Sequence, residues 1–86
     1  MEKKPSIMNI RCVVFGLVHS EDENVRSIGY TLEDRIKDYD KEEVLMVRIY
    51  VLGVIKGALD ILFLQGVIPA SVYTDSMLEI QNAIKG

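Results

Sequence analysis

Cysteine and histidine are nearly missing, with one of each in 86 residues, Cys12 and His19. A single cysteine closes no internal disulfide and builds no thiolate cage, and a single histidine cannot complete a zinc site. No cofactor or metal is expected unless carboxylates alone hold it. Basic residues are also in deficit: ten Lys and Arg face thirteen Asp and Glu, for a net charge of −3 and a pI near 5.0. That is the wrong sign for a surface that neutralises phosphates, so nucleic acid is not expected as a partner. A secretory leader is not expected either, because Met1-Glu2-Lys3-Lys4-Pro5 is polar and the apolar stretch from Ile10 to Val18 is short and holds Arg11. These absences together describe a cytoplasmic, metal-free protein. No internal repeat and no low-complexity linker divides the chain, which leaves residues 1–8 as a flexible tail, with Met8 an alternative start, and 9–86 as a single domain.

Apolar residues are plentiful. At 49% hydrophobic against 27% charged, the composition excludes a disordered chain. A domain of this size buries only about 60% of its unfolded surface, so it carries more apolar side chains than its core easily hides, and self-association is expected. Charge is uneven. Residues 20–43 contain nine acids and four bases, a local net of −5 that leaves +2 for the rest. Such a segment reads as a solvated face, with docking on a basic partner as the sharper alternative.

The segment from Asn9 to His19 is rich in β-branched and aromatic residues and is closed by a polar cluster from His19 to Asn24, which reads as a covered strand followed by a turn. Val25 to Leu32 alternates around Gly29, and Arg35 to Tyr39 is a weaker third strand. Cys12 is expected as a small buried hydrophobe in the first strand, and His19 as a solvated loop residue. Asp40 and Glu43 have capping-box spacing ahead of an apolar run, predicting a long helix from Lys41 to about Gln65 that Gly66 closes. Arg48, Lys56 and Asp60 exclude that helix from a bilayer. Ala70 to Tyr73 after Pro69 reads as a fourth strand, and Ser76 with Glu79 as a second capping box opening a final helix to Lys85.

The segment Ile49-Tyr50-Val51-Leu52-Gly53-Val54-Ile55-Lys56-Gly57-Ala58-Leu59, then Ser71-Val72-Tyr73-Thr74-Asp75-Ser76, then Leu78-Glu79-Ile80-Gln81-Asn82-Ala83-Ile84-Lys85-Gly86 resembles the ribonuclease H family. The resemblance implies an α/β fold of order βββαβα: three antiparallel strands, a long helix, a fourth strand parallel to the sheet and a terminal helix. It also implies a two-metal site built from clustered carboxylates. Carried over residue by residue, only Asp75 matches such a ligand. The first-strand position falls near Phe15-Gly16 and the helix position on Tyr50 or Val51, and none of these binds a metal. The implied protein is a shortened relative without catalytic residues, Asp75 being a remnant candidate whose favoured reading is the structural one, negative charge at a helix start.

In a complete domain of that family the long helix is covered on both sides, and here the later helices are missing. Leu45, Ile49, Leu52, Phe63 and Leu64 lie toward or beside the polar stripe that Lys41, Arg48, Lys56 and Asp60 form on that helix, and Gly53 and Gly57, four apart, let a second helix approach. The expected function is that of a non-catalytic interaction or regulatory module, a homodimer through this helix, with a further protein partner possible. The alternatives are a protein that binds RNA/DNA hybrid or duplex, and a nuclease whose site is completed across a dimer by Asp75 from each chain.

Overall fold

The computed structural model describes residues 5–85, and every regular element among them is an α-helix. Helix α1 spans Met8–Val18, α2 Glu23–Lys41, α3 Leu45–Leu64 and α4 Ala70–Lys85. The expected α/β architecture is therefore corrected: neither the three antiparallel strands nor the fourth strand forms, and no sheet exists among the described residues. The reason lies in the spacing of the buried side chains. Ile10, Val14 and Leu17 in α1, and Leu32, Ile36 and Tyr39 in α2, fall four and then three residues apart and all reach the core. That is the period of a helix face, and it outweighs the β-branched composition of residues 9–19.

Helix α2 starts at Asp22, whose carboxylate accepts from the backbone N–H of Asn24 at 2.8 Å and of Val25 at 3.2 Å. Asp40 is not the cap of the next helix. It lies inside α2, where both its oxygens accept from the Arg11 guanidinium, at 2.6 and 3.0 Å. Helix α3 begins after Val44 without a side-chain cap and runs to Leu64. It ends as its sequence predicts, with Gly66 at φ +75°, the Val67 N–H donating to the Leu62 carbonyl and the Gly66 N–H to Phe63, the two bonds of a Schellman motif. Pro69 then pre-sets the entry to α4. The helix runs straight from Ala70, so the expected strand at 70–73 is its first turn, and Ser76 is no cap but a wholly buried residue in mid-helix.

The helices form a ring in which α1 packs on α2 and α4, and α3 packs on α2 and α4. Neighbours run antiparallel. Arg11 at the start of α1 meets Asp40 at the end of α2, while Gly29 early in α2 lies against Leu17 late in α1. The latter contact is tight: a Cβ on Gly29 would sit 2.8 Å from the Leu17 Cβ and from the Val18 N. The ring closes where Glu79 of α4 accepts from the Asn9 N–H at 2.8 Å and the Ile10 N–H at 2.9 Å, capping α1 from across the bundle. Ile7, Ile10, Leu32, Leu52, Ile55, Leu59, Leu62 and Ile80 fill the centre. Of the expected tail, residues 1–4 lie outside the described residues, and Ile7 is part of the core.

Candidate functional site

A helix that touches only two neighbours must leave one side open, and α3 leaves an apolar one. Its inner arc, Val51, Leu52, Ile55, Leu59 and Leu62, is buried. At about 100° per residue, Met46, Tyr50, Gly53, Val54, Gly57, Ile61 and Leu64 share the opposite side, an arc of about 100°. The large side chains there face solvent: Met46 is 74% exposed, Tyr50 71%, Ile61 54% and Leu64 81%. Single exposed apolar residues need no explanation, whereas a stripe running the length of a helix is a larger apolar surface than scattered exposure produces.

Both edges of the stripe are charged and internally paired. On the α4 side Lys56 donates to Asp60 at 2.9 Å, and the Tyr73 hydroxyl donates to the other Asp60 oxygen. The Tyr73 hydroxyl first, and then the Lys56 ammonium, hold the Asp60 carboxyl below its ordinary range, and the same bonds push Lys56 and Tyr73 up. The Tyr73 ring stacks on Phe63 with centroids 4.4 Å apart. On the α2 side a groove of about 410 Å³ lies between Arg35, Asp38, Lys41 and Glu42 above and Val47, Tyr50, Val51 and Val54 below. Arg35 and Asp38 are paired there at 3.1 Å.

The residues expected at an interface divide between the two sides. Gly53, Gly57 and Leu64 lie on the open stripe, and Leu45 is 45% exposed at its start. Ile49 and Phe63 are half-buried, and Leu52, 1% exposed, belongs to the core instead. Tyr50, Val54 and Ile61, which were not among the expected interface residues, are open in the structure. A helix apolar around most of its circumference contains two candidate core arcs, and only the position of its neighbours selects one. The signal that could have found the stripe is the four-and-three spacing of Met46, Tyr50, Gly53, Gly57, Ile61 and Leu64.

Asp75 is not at a strand end but on the exposed surface of α4, where it borders a shallow groove of about 260 Å³ with Asn9, Cys12, Val13 and Val72. Cys12, expected inside, is exposed, because the helical turn that buries Ile10 and Val14 carries residue 12 outward. His19 is exposed in the turn after α1, its Nδ1 2.8 Å from the Phe15 carbonyl oxygen. Among the described residues no group of three or more His, Cys, Asp or Glu is placed to hold a metal ion, and no helix is long and apolar enough to cross a membrane. No protein-family model matches this chain, and comparison with curated proteins and with solved structures finds no match.

Proposed function

We propose that this protein acts by binding rather than by catalysis, as a small four-helix interaction module whose recognition element is the outer face of α3. The observation that carries this reading is the continuous exposed stripe from Met46 to Leu64. A chain that places Tyr50 and Leu64 in water along one helix gains by covering them, each fully buried large apolar side chain contributing about 1.5–3 kcal/mol. The exposed, unpaired Cys12 supports a reducing, cytoplasmic setting.

Side-chain footprinting tests the reading. Met46 oxidation and Tyr50 iodination are followed as the protein is concentrated, and again in extract of cells that express it. Met8 and Tyr30, 60% and 53% exposed on other helices, serve as internal references. The expected result is protection of Met46 and Tyr50 in the associated state with Met8 and Tyr30 unchanged. Unchanged reactivity at Met46 and Tyr50 under every condition refutes it.

A further inference from the structure

We infer that the occupant of the α3 face is a second copy of this chain, packed antiparallel about a two-fold axis that meets α3 at the level of residue 55, on the side opposite the buried Ile55 side chain. The inference rests on α3 being the recognition surface and adds the partner and its register. The stripe is a near-palindrome about position 55. Met46 and Leu64 each stand nine residues from it, Gly53 and Gly57 two, and Tyr50 and Ile61 five and six. An antiparallel pair in that register sets Met46 against the partner's Leu64, Gly53 against the partner's Gly57, and Tyr50 beside the partner's Ile61. Met46, Tyr50, Ile61 and Leu64 then each meet an apolar side chain, the self-complementarity a two-fold contact demands, while Val54 falls opposite the partner's Lys56.

The two glycines point the same way. A Cβ at Gly53 or Gly57 would meet nothing within 4 Å, whereas one at Gly29 would collide with α1. The fold of one chain thus has no use for missing side chains at Gly53 and Gly57. A helix crossing there does, because two backbones can approach closely only where side chains are absent.

Area and charge agree. Met46, Val47, Tyr50, Val54, Ile61 and Leu64 together offer on the order of 600 Å² of exposed side-chain surface, and with the flanking grooves this approaches the roughly 800 Å² per partner of a standard stable interface. Two copies of a chain with net charge −3 repel unless they meet where charge is balanced. The stripe provides that place: Lys56 offsets Asp60 on one edge, and Arg35 and Lys41 offset Asp38 and Glu42 on the other.

The test uses a Cys12→Ser background, since Cys12 is exposed. Solution mass is measured by light scattering over a concentration series for the parent, for Ile61→Glu and for Gly57→Leu, with circular dichroism to show that the helices persist. Disulfide formation under diamide is compared between Met46→Cys/Leu64→Cys and Met46→Cys alone. The expected results are a mass twice the 9.7 kDa of the chain and covalent dimer from the double variant but not from Met46→Cys. Association should weaken by on the order of 100-fold or more in Ile61→Glu, because each dimer loses two buried side chains. A dimer cross-linked by Met46→Cys alone is parallel and overturns the register. A dimer indifferent to both Ile61→Glu and Gly57→Leu uses another surface and overturns the inference and the α3 reading together. A monomer at every concentration overturns the inference alone if Met46 and Tyr50 are still protected in cell extract.

Discussion

Replacing Glu79 by Ala removes the acceptor of two N–H groups in the first turn of α1. Helix α1 has only Ile7 at its N-cap position, with no side-chain cap of its own, and no acid in its first turn. The Glu79 carboxylate accepts from Asn9 and Ile10 at 2.8 and 2.9 Å. Losing a cap acceptor costs about 1 kcal/mol, and a bond to a charged acceptor is worth about 1.5 kcal/mol or more. Asn9 is exposed, so water replaces its bond cheaply, whereas Ile10 is buried beside α4 and its N–H is rehydrated poorly. The sum is about 2.5 kcal/mol, which in a domain of this size lowers the melting temperature by roughly 10–20 °C. Glu79→Gln keeps the shape and one acceptor and should cost about half as much. Thermal melts by circular dichroism measure the loss. Amide exchange should show Asn9 and Ile10 opening faster in Glu79→Ala while Leu59 in α3 changes only with global stability. A fall of less than about 3 °C in Glu79→Ala would refute the argument that α1 is capped from α4.

Gly29→Ala drives a Cβ into the backbone of α1 at 2.8 Å and should lower the urea-unfolding free energy by about 2 kcal/mol or more, and an unchanged midpoint would mean that the two helices can separate freely. Ser76→Ala should stabilise by about 1 kcal/mol, because the Ser76 hydroxyl is wholly buried without a hydrogen-bond partner and alanine is the better helix former; a destabilised variant in the same urea series would show that the hydroxyl is bonded after all. Burial pushes the Tyr39 hydroxyl above its ordinary value of 10.0, and this group donates to the Pro5 carbonyl at 2.8 Å. A raised folded-state value contributes stability that is complete below the unfolded value and is lost as pH rises through the folded one, so melting temperatures should hold to about pH 9 and fall beyond about pH 10. Tyr39→Phe should flatten that alkaline fall, and an identical slope would assign it to other groups such as Tyr73 and Lys56.

The second half of the chain was largely legible. A long helix was expected over 41–65 and is found over 45–64, closed by Gly66 in the left-handed conformation, because positive φ is a local demand that glycine meets without help from distant residues. A helix at the end of the chain up to Lys85 was also expected, but from a capping box at Ser76 and Glu79 that does not form, since α4 begins at Ala70. The first half was misread. The β-branched and aromatic residues of 9–19 suit a covered strand as well as a buried helix, and composition was weighed above the spacing of Ile10, Val14 and Leu17. Three cap-like residues misled in one consistent way. Asp40, Ser76 and Glu79 have the spacing of helix starts, yet Asp40 binds Arg11, Ser76 is packed in the bundle and Glu79 caps a helix seventy residues away. Meanwhile Asp22, two residues before Asn24, was taken as part of a turn although it caps α2.

Residue order alone determines what depends on composition or on a few neighbouring bonds: where α3 stops, that the chain is acidic between 20 and 43, and that apolar residues exceed what so short a chain hides. Tertiary structure decides which groups at those positions meet. It selects which of two apolar arcs of α3 is core, turning Leu52 inward and Tyr50 outward, because α2 and α4 can cover only one side of a helix. Periodicity states that a helix has an apolar face, but burial is a relation between segments, and no segment carries it alone.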